Sequence, residues 1–323
     1  MYSVAGYGKM IADSGRMDAY IQALQQAVKP NSVVLDIGTG TGVFALLACQ
    51  FGASKVYAIE PSNVIQIGRE MSVANGYSDR ITFIEELSTQ ITLPEPADII
   101  ISDLRGVLPL LTQHIPAIAD ARKRHLSPHG VLIPQSDTLW ATVVSAPKLY
   151  SDYTNPWDSN PYGFNMEAAK KRVTNSWRKS KVTPEQFLTE PQSWAILDYT
   201  TIENPNLKAE LTWTVPKNGT AHGISIWFDA TLAPGIYFSN APSKPELIYG
   251  QAFFPLSAPV SLASGDIVSI TLQANLVSND YIWRWETHVV SQSGEEKANF
   301  KQSTFLGMPI SPSQLRKQIK ETN

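Results

Sequence analysis

The sequence predicts an α/β protein with a Rossmann-like parallel sheet in its N-terminal part and an all-β domain after it. From residue 32 to about residue 134, short apolar runs alternate with longer amphipathic ones, which is the rhythm of βαβ units. After Pro134, apolar residues alternate with polar or aromatic ones in runs bounded by Pro, Gly, Asn and Ser, which is typical of antiparallel strands. We therefore place the domain boundary between residues 134 and 135.

The N-terminal elements follow in order. "SVVLDIG" is a strand that ends in a glycine-rich turn, "VFALLACQFG" is a helix, "KVYAIE" is the second strand, and "NVIQIGREMSVANGY" has helical spacing. "ITFIEE", "ADIIISD" and "GVLIP" are predicted as further strands. "LPLLTQHIPAIADARKRHL" is mostly helical, although Pro109 and Pro116 leave its start and middle open because proline removes a helix hydrogen bond.

The C-terminal strands are "TLWATVVSAP", "KAELTWTVP", "GISIWFDATL", "IYGQAFFPL", "DIVSITLQANLV" and "DYIWRWETHVV". Trp283 and Trp285 alternate on one face of the last of these, which predicts core or dimer packing. Between the first strands lies "LYSDYTNPWDSNPYGFNMEAAKKRVTNSW", an aromatic and helical insertion. The end, "SPSQLRKQIKETN", is predicted as a solvated tail.

The composition fits two domains with ordinary cores. The chain has 323 residues, of which 43% are hydrophobic, with 26 basic and 29 acidic residues. This near balance disfavours a nucleic-acid or membrane partner. The single cysteine, Cys49, lies in an apolar helical run, which excludes an internal disulfide and predicts a core thiol. Without an N-terminal apolar segment or a membrane-spanning run, we expect a soluble, cytoplasmic protein.

The strongest chemical signal is "VVLDIGTGTGVFALLA", where a strand ending at Asp36 is followed by Gly38, Gly40 and Gly42. Glycines let the backbone turn tightly and let a ligand approach without Cβ atoms in the way. Glu60 closes the next strand, where a carboxylate can accept hydrogen bonds from both ribose hydroxyls. The strand, turn, helix and acid together predict a nucleoside cofactor.

The spacing favours S-adenosylmethionine over a dinucleotide. A dinucleotide site usually has glycine or alanine three positions after the second glycine, close to a pyrophosphate, and this chain has Val43 there. The D-x-G-x-G-x-G order suits a cofactor without phosphates, whose amino-acid end lies over the loop. A nicotinamide site and a turn without a ligand are the weaker alternatives.

Methyl transfer needs an acceptor held in line with the methyl group and a way to remove any proton the acceptor carries. Ligands of open α/β sheets lie beyond the carboxyl ends of the strands, which here directs attention to "IISDLRGVLPLLTQH". Asp103 is the only acid in this stretch and is our predicted catalytic residue, with capping of the following turn as the alternative. Arg105 is expected more often as a solvated loop residue than as an inward-pointing one.

The chain resembles the protein arginine methyltransferases over most of its length. "MYSVAGYGKMIADSGRMDAY" is similar to the family's N-terminal segment over the cofactor, "VVLDIGTGTG" and "VYAIEPS" to its cofactor loop and ribose acid, and "IEELS" to its adenine-side loop. The resemblance implies a β-barrel second domain and a homodimer formed through an arm at about residues 153–185, beginning at "NPWDSNPYGFNM". It implies that Arg16 binds the methionine carboxylate. The cofactor residues predicted in all are Met10, Arg16, Asp36, Gly38, Gly40, Gly42, Glu60, Leu87 and Ser88.

The acceptor side departs from the family pattern. The family holds a guanidinium between two glutamates, whereas here Asp103 takes the first position and Thr112 the second. The family's Thr-His-Trp loop reads Leu247, Ile248 and Tyr249. Because a guanidinium has five donors and keeps its charge, binding it in a closed pocket calls for paired carboxylates. A single acid leaves part of its desolvation uncompensated.

We therefore predict an S-adenosylmethionine-dependent methyltransferase, with residues 1–134 binding the cofactor and residues 135–323 forming the barrel, that yields S-adenosylhomocysteine. The expected acceptor is a nitrogen or oxygen of a peptide or small molecule. Two alternatives stay open: arginine methylation in a remodelled pocket with an acid supplied by the barrel, and a catalytically silent cofactor-binding subunit. No metal is required, because no His, Cys or acid cluster has zinc-like spacing. The substrate-side candidates are Tyr7, Arg105, Thr112 and Tyr249, then His114; His125 and His129 are expected on an exposed turn.

Overall fold

The computed structural model describes residues 3–160 and 162–309. In its N-terminal part, five parallel strands form a sheet in the order β3-β2-β1-β4-β5. This confirms the predicted Rossmann-like sheet. The elements are α1 (Val4–Ala12), α2 (Ser14–Ala27), β1 (Val33–Ile37), α3 (Val43–Gln50), β2 (Lys55–Ile59), α4 (Ile65–Ala74), β3 (Ile81–Ile84), β4 (Ala97–Ser102), α5 (His114–His125) and β5 (Leu126–Ile133).

The strand register brings the residues that follow β1, β2 and β4 to one edge of this sheet. Ile37, the last residue of β1, pairs with Ile59 at the end of β2 and with Ser102 at the end of β4. The strand order reverses direction at β1, so a crevice opens beyond these carboxyl ends. The glycine-rich turn, Glu60 and Asp103 each follow one of the three strands and therefore lie side by side.

The second part is antiparallel and confirms the predicted all-β domain. One sheet has the order β7-β12-β10-β6-β8, with β11 paired to β10, and the other has the order β15-β14-β13-β9. The strands are β6 (Ser136–Val144), β7 (Arg178–Ser180), β8 (Gln192–Asp198), β9 (Leu207–Thr214), β10 (Gly219–Ala233), β11 (Ile236–Ser239), β12 (Gln251–Leu262), β13 (Ile267–Val277), β14 (Asp280–Val290) and β15 (Glu296–Ser303). Two helices, α6 (Pro147–Asp158) and α7 (Glu167–Thr174), form the insertion, and α8 (Thr304–Gly307) follows the last strand.

Trp283 and Trp285 belong to the core of this second part. Both side chains are fully buried on β14, and their rings lie 5.0 Å and 5.2 Å from the ring of Phe254 on β12. The interpretation as core packing is therefore confirmed. The predicted solvated tail, residues 311–323, lies outside the described residues.

The prediction of an exposed turn at His125 and His129 is wrong for most of that stretch. His125 is buried at the end of α5, and the chain continues directly into β5, where His129 is exposed. The pairing of β4 with β5 shifts between Ala97 and Ile99, because more residues of β5 than of β4 span this interval. An irregular edge strand accommodates Pro128 and Gly130, which sequence reasoning assigned to a turn.

Within the described residues, no helix is both long enough and apolar enough to cross a membrane. In the same part of the chain, no group of His, Cys, Asp and Glu side chains could hold a metal ion.

Candidate active site

A cavity of about 640 Å³ lies beyond the carboxyl ends of β1, β2 and β4. Helices α1 and α2 contribute to its walls, as does the loop between β11 and β12. Most of the residues predicted from the sequence line it, namely Tyr7, Met10, Arg16, Gly38, Glu60, Leu87, Ser88, Asp103, Arg105, Thr112 and Tyr249. Asp36, Gly40 and Gly42 are not among its lining residues.

The glycine-rich turn is shaped by close contacts as well as by its backbone. Gly38 and Gly40 have φ values of 71° and 54°, in the left-handed region that favours glycine. A Cβ atom on Gly40 would lie 2.4 Å from Cε1 of Tyr7, and one on Gly38 would lie 2.4 Å from Cδ2 of Leu104. Helix α1 thus rests on the turn through Tyr7, and the two form one wall of the cavity.

The two acids at the cofactor end have different surroundings. Glu60 accepts hydrogen bonds from the backbone N–H of Gly40 at 3.2 Å and from the N–H and hydroxyl of Ser62 at 3.0 Å and 2.6 Å. Asp36 lies beneath the turn and accepts a hydrogen bond from the Thr39 hydroxyl at 2.5 Å. Burial raises the pKa of Asp36 to about 7. Glu60 faces the cavity, whereas Asp36 supports the turn from below.

Arg16, which the resemblance predicts to bind the methionine carboxylate, lines the cavity. Asp13 caps helix α2 by accepting from the Arg16 N–H at 3.2 Å, which fixes the start of the helix. The Arg16 Nε donates to Asp103 at 2.6 Å and to the Tyr249 hydroxyl at 3.1 Å. Its Nη1 donates to the Met10 carbonyl at 3.3 Å. Burial lowers the pKa of Arg16, but the charge of Asp103, the hydrogen bond to Asp103 and the nearby Tyr249 and Tyr20 together more than offset this, so the pKa is raised.

Asp103 accepts hydrogen bonds from three side-chain donors. Its Oδ2 accepts from Arg16 and, at 2.6 Å, from the Tyr249 hydroxyl, while its Oδ1 accepts from Nη1 of Arg105 at 3.2 Å. Burial works to raise the pKa of Asp103, but the two guanidinium groups and Tyr249 hold it below its usual value. Asp103 is thus an ionised group in a network, and among the described residues no backbone N–H of the following turn donates to its carboxylate.

Arg105 does not lie in solvent, contrary to the sequence-based expectation. Its side chain is 0% exposed, and it forms a paired contact with Asp137, from Nε to Oδ2 and from Nη2 to Oδ1, each at 2.8 Å. Its Nη1 also donates to the Tyr20 hydroxyl at 2.7 Å. The expectation was wrong because Asp137 supplies a buried counter-charge from the second domain.

Asp137 is the functional neighbour that sequence reasoning missed. It is fully buried and also accepts from the Tyr199 hydroxyl at 2.5 Å. The signal was present in "SDTLWATVV", because the two-residue period of β6 places Asp137 on the same inward face as Leu139, Ala141 and Val143. An acid in an inward position calls for a partner. Asp137 is an acid of the second domain beside Arg105, but it is not among the lining residues of the cavity.

Thr112, in the loop before α5, and His114, the first residue of α5, complete the acceptor end. Thr112 lines the cavity with a φ of 41°, an uncommon conformation for a β-branched residue. His114 also lines it, with Nδ1 2.9 Å from the Pro109 carbonyl oxygen. Burial and the Arg105 charge lower the pKa of His114 to about 4, so the ring is neutral. Nδ1 then carries the proton, and the buried Nε2 lone pair has no partner among the described residues.

Comparison with known proteins agrees with this geometry. Residues 18–140 match the family described as "Ribosomal protein L11 methyltransferase (PrmA)", and residues 135–288 match "Arginine methyltransferase oligomerization subdomain". Human "Protein arginine N-methyltransferase 2" is 31% identical over 300 residues, which cover 87% of this chain and 67% of the human protein. The chain belongs to the protein arginine methyltransferase family.

Other members show the same relationship. Mouse "Protein arginine N-methyltransferase 2" is 31% identical over 277 residues, covering 80% of this chain and 62% of the mouse protein. The chain thus spans about two thirds of these two relatives. The crystal structure of Arabidopsis thaliana protein arginine methyltransferase 10 superposes with a TM-score of 0.81 at 25% identity, covering 93% of this chain and 97% of that one.

Family membership and fold identify the chain as an S-adenosylmethionine-dependent methyltransferase resembling the arginine methyltransferases, as predicted. The cavity fits this cofactor. Among the described residues, Arg16 uses Nε and Nη1 for its hydrogen bonds, so Nη2 is available to a carboxylate. Glu60 faces the same cavity, and Gly38 leaves backbone exposed between them. When bound, S-adenosylmethionine supplies the electrophilic methyl group.

Proposed function

We propose that this methyltransferase acts on an uncharged nitrogen or oxygen acceptor of a peptide or small molecule, such as an amine, hydroxyl, imidazole or carboxamide. The observation that carries the proposal is the state of Asp103, whose two oxygens already accept from Arg16 and Arg105. No second carboxylate stands at Thr112. The acceptor end therefore has no unpaired negative charge to offer a guanidinium.

The balance of buried charge supports the same acceptor class. Two acids, Asp103 and Asp137, are matched by two cations, Arg16 and Arg105. A guanidinium acceptor adds a positive charge that nothing compensates. At an effective dielectric constant of about 20, two like charges about 4 Å apart repel by about 4 kcal/mol. An uncharged acceptor avoids this repulsion.

The cavity also offers hydrogen-bond acceptors for an N–H or O–H group. The lowered pKa keeps Asp103 ionised, and an ionised carboxylate is a stronger hydrogen-bond acceptor than a neutral group. His114 also lines the cavity with a neutral ring, whose buried Nε2 lone pair has no partner among the described residues. These two groups position the reacting atom, and they accept the proton that becomes acidic once this atom is methylated.

The roles of the cofactor residues are part of the proposal. Arg16 binds the methionine carboxylate, Glu60 the ribose hydroxyls, and Leu87 and Ser88 flank the adenine. Titration calorimetry with S-adenosylmethionine tests this directly: we expect binding to the wild type and strong weakening by Glu60→Ala. Binding that is absent, or unaffected by Glu60→Ala, contradicts the assignment.

The acceptor class is tested with labelled S-adenosylmethionine and peptides of one sequence that differ at a single position, carrying Arg, Lys, His, Gln or Ser. We expect label on an uncharged or deprotonated acceptor and its loss in Asp103→Ala. Label on the arginine peptide alone contradicts the proposal. Cofactor binding without label on any acceptor favours a catalytically silent subunit.

Arginine methylation is the second candidate, favoured by one observation. The guanidinium of Arg105 lies between Asp103 and Asp137, so the chain does contain paired carboxylates that accept a guanidinium. A substrate arginine reaches them only if Arg105 moves away. The relatives' names, "Protein arginine N-methyltransferase 2", point in the same direction.

We also propose a homodimer formed through the insertion at residues 153–185. The matched oligomerisation subdomain covers this insertion, and Tyr162 and Phe164 between its helices are 72% and 69% exposed. Light scattering should give twice the 35.6 kDa of one chain. Phe164→Asp should weaken the dimer, whereas Phe305→Asp, at another exposed aromatic residue outside the insertion, should not. A monomeric wild type contradicts the proposal.

A further inference from the structure

We infer that Arg105 is an internal guanidinium that occupies the arginine-binding position of the acceptor site and thereby determines which acceptors the enzyme takes. This inference deepens the proposed function and rests on it for the class of the natural acceptor.

The Arg105 guanidinium is bound as a substrate arginine would have to be bound. Four of its five N–H donors have acceptors: Nε and one Nη2 donor contact Asp137, and the two Nη1 donors contact Asp103 and Tyr20. The contact with Asp137 is bidentate: two N–H groups of the guanidinium donate to the two oxygens of the carboxylate. This is the strongest arrangement for this pair of groups. Two carboxylates from different domains thus converge on one guanidinium.

Aromatic rings complete this guanidinium site. The Arg105 Cζ lies 5.5 Å from the ring centre of Phe228 and 5.6 Å from that of Phe238. Cations are attracted to aromatic faces at such distances. The Tyr199 hydroxyl donates a hydrogen bond to Asp137, and the Tyr20 hydroxyl donates its own to the Ser102 carbonyl at 3.0 Å. These groups form a binding site for a guanidinium, and the Arg105 side chain occupies it.

The position of Arg105 gives this arrangement a consequence for specificity. Arg105 and Asp103 both line the cavity, so the occupied guanidinium site lies at its acceptor end. An arginine substrate must compete with a side chain that is attached to the chain and fully buried. Removing the Arg105 charge takes the cation away from Asp137 and from Oδ1 of Asp103, whereas Oδ2 of Asp103 keeps Arg16 and Tyr249. The vacated position is then open to an external guanidinium.

The test uses the full chain, labelled S-adenosylmethionine and two peptides of one sequence that carry arginine or citrulline, its uncharged isostere. We compare the wild type with Arg105→Gln, Arg105→Lys and the double variant Arg105→Gln/Asp137→Asn. The inference expects arginine methylation to rise at least about tenfold in Arg105→Gln, a change of about 1.4 kcal/mol. The two other variants should show no such gain, because one keeps the cation and the other removes the second carboxylate.

Binding of S-adenosylhomocysteine, measured by calorimetry, shows that each variant is folded. No gain in a cofactor-binding Arg105→Gln overturns the inference, and so does an equal gain in the double variant. If Arg105→Gln does not fold, the test is made on the wild type in complex with S-adenosylhomocysteine. Tighter binding of the arginine peptide than of the citrulline peptide to this complex overturns the inference. Equal binding of the two peptides supports it. Failure of the proposed function is recognised separately, as an absence of label on every uncharged acceptor.

Discussion

The Tyr249 hydroxyl donates a 2.6 Å hydrogen bond to Oδ2 of Asp103 and so ties the barrel to the end of β4. The neighbouring Ile248 N–H donates at 2.6 Å to Asp13, which caps helix α2. Burial and the Asp103 charge raise the pKa of Tyr249 well above its usual value, so its hydroxyl remains a donor. The loop that differs from the family's Thr-His-Trp pattern therefore still closes the cavity.

Removing this hydroxyl tests its contribution. Tyr249→Phe leaves Asp103 with one donor fewer, and hydrogen bonds to charged groups contribute about 1.5–3 kcal/mol. We expect a loss of that size in the free energy of unfolding, measured by chemical denaturation, together with slower methyl transfer. Tyr281→Phe is the control, because Tyr281 is buried and donates to the neutral Pro205 carbonyl far along the second domain. Tyr281→Phe should lower the free energy of unfolding by about 1 kcal/mol and leave the rate of methyl transfer unchanged.

The buried ion pair of Arg105 and Asp137 predicts a large effect of breaking it. Asp137→Asn leaves the Arg105 charge without its paired partner, which should cost about 3–5 kcal/mol in the free energy of unfolding. Asp152→Asn makes the same change in the exposed pair with Lys148 and should lower the free energy of unfolding far less, because solvent screens that pair. Similar losses in the two variants contradict the view that Asp137 compensates a desolvated charge.

The parts of this site that sequence predicted are those encoded by local spacing. The turn at Gly38 and the acid at Glu60 follow consecutive strands, so their positions can be read from the strand pattern alone. The ion pair of Arg105 and Asp137 joins the loop after β4 to strand β6 of the second domain. The inward register of Asp137 was readable, but only the packing of the two domains shows which cation it meets.

The contact between Gly40 and Tyr7 predicts that the turn and helix α1 act together in cofactor binding. Gly40→Ala brings a Cβ to 2.4 Å from the Tyr7 ring, which must then move off the turn. We expect a loss of about 1 kcal/mol in stability from the left-handed φ, and a weaker affinity for S-adenosylmethionine by calorimetry. Gly76→Ala shares the strain, with a φ of 72°, but its Cβ meets nothing within 4 Å. An equal loss of affinity in both variants speaks against a role for this contact.

Asp36 predicts a specific pH dependence of stability. Its folded-state pKa of about 7 lies above the unfolded value of about 3.9, so the folded protein favours the neutral carboxyl. The ionisation of Asp36 therefore lowers the free energy of unfolding. This loss is absent below pH ~4, grows as the pH rises towards 7 and is constant above that. From pH 5 to pH 8 this amounts to roughly 2–3 kcal/mol.

Asp36→Asn removes this ionisation and keeps an acceptor for the Thr39 hydroxyl. The fall in the free energy of unfolding between pH 5 and pH 8 should therefore be smaller in the variant than in the wild type by that amount. Asp152→Asn, at an exposed carboxyl, should follow the wild type. Parallel pH profiles of Asp36→Asn and the wild type contradict the raised pKa.

His114 and His125 form a matched pair for testing the acceptor end of the cavity. Both are buried, and in both the Nε2 atom has no partner among the described residues, but only His114 lines the cavity. The His114 ring stacks on Tyr199 with centres 5.2 Å apart, so His114→Phe keeps an aromatic ring there and removes the lone pair. His125→Phe makes the same change away from the cavity.

If the His114 lone pair binds the acceptor, its loss removes one hydrogen bond, worth about 0.5–1.5 kcal/mol. We expect KM for the methyl acceptor to rise about two- to tenfold in His114→Phe, while the affinity for S-adenosylmethionine, measured by calorimetry, stays unchanged. Because the pKa of His114 is about 4, the effect should be the same from pH 6 to pH 8. An equal rise in His125→Phe, or an effect that follows a titration near neutral pH, rules out this role.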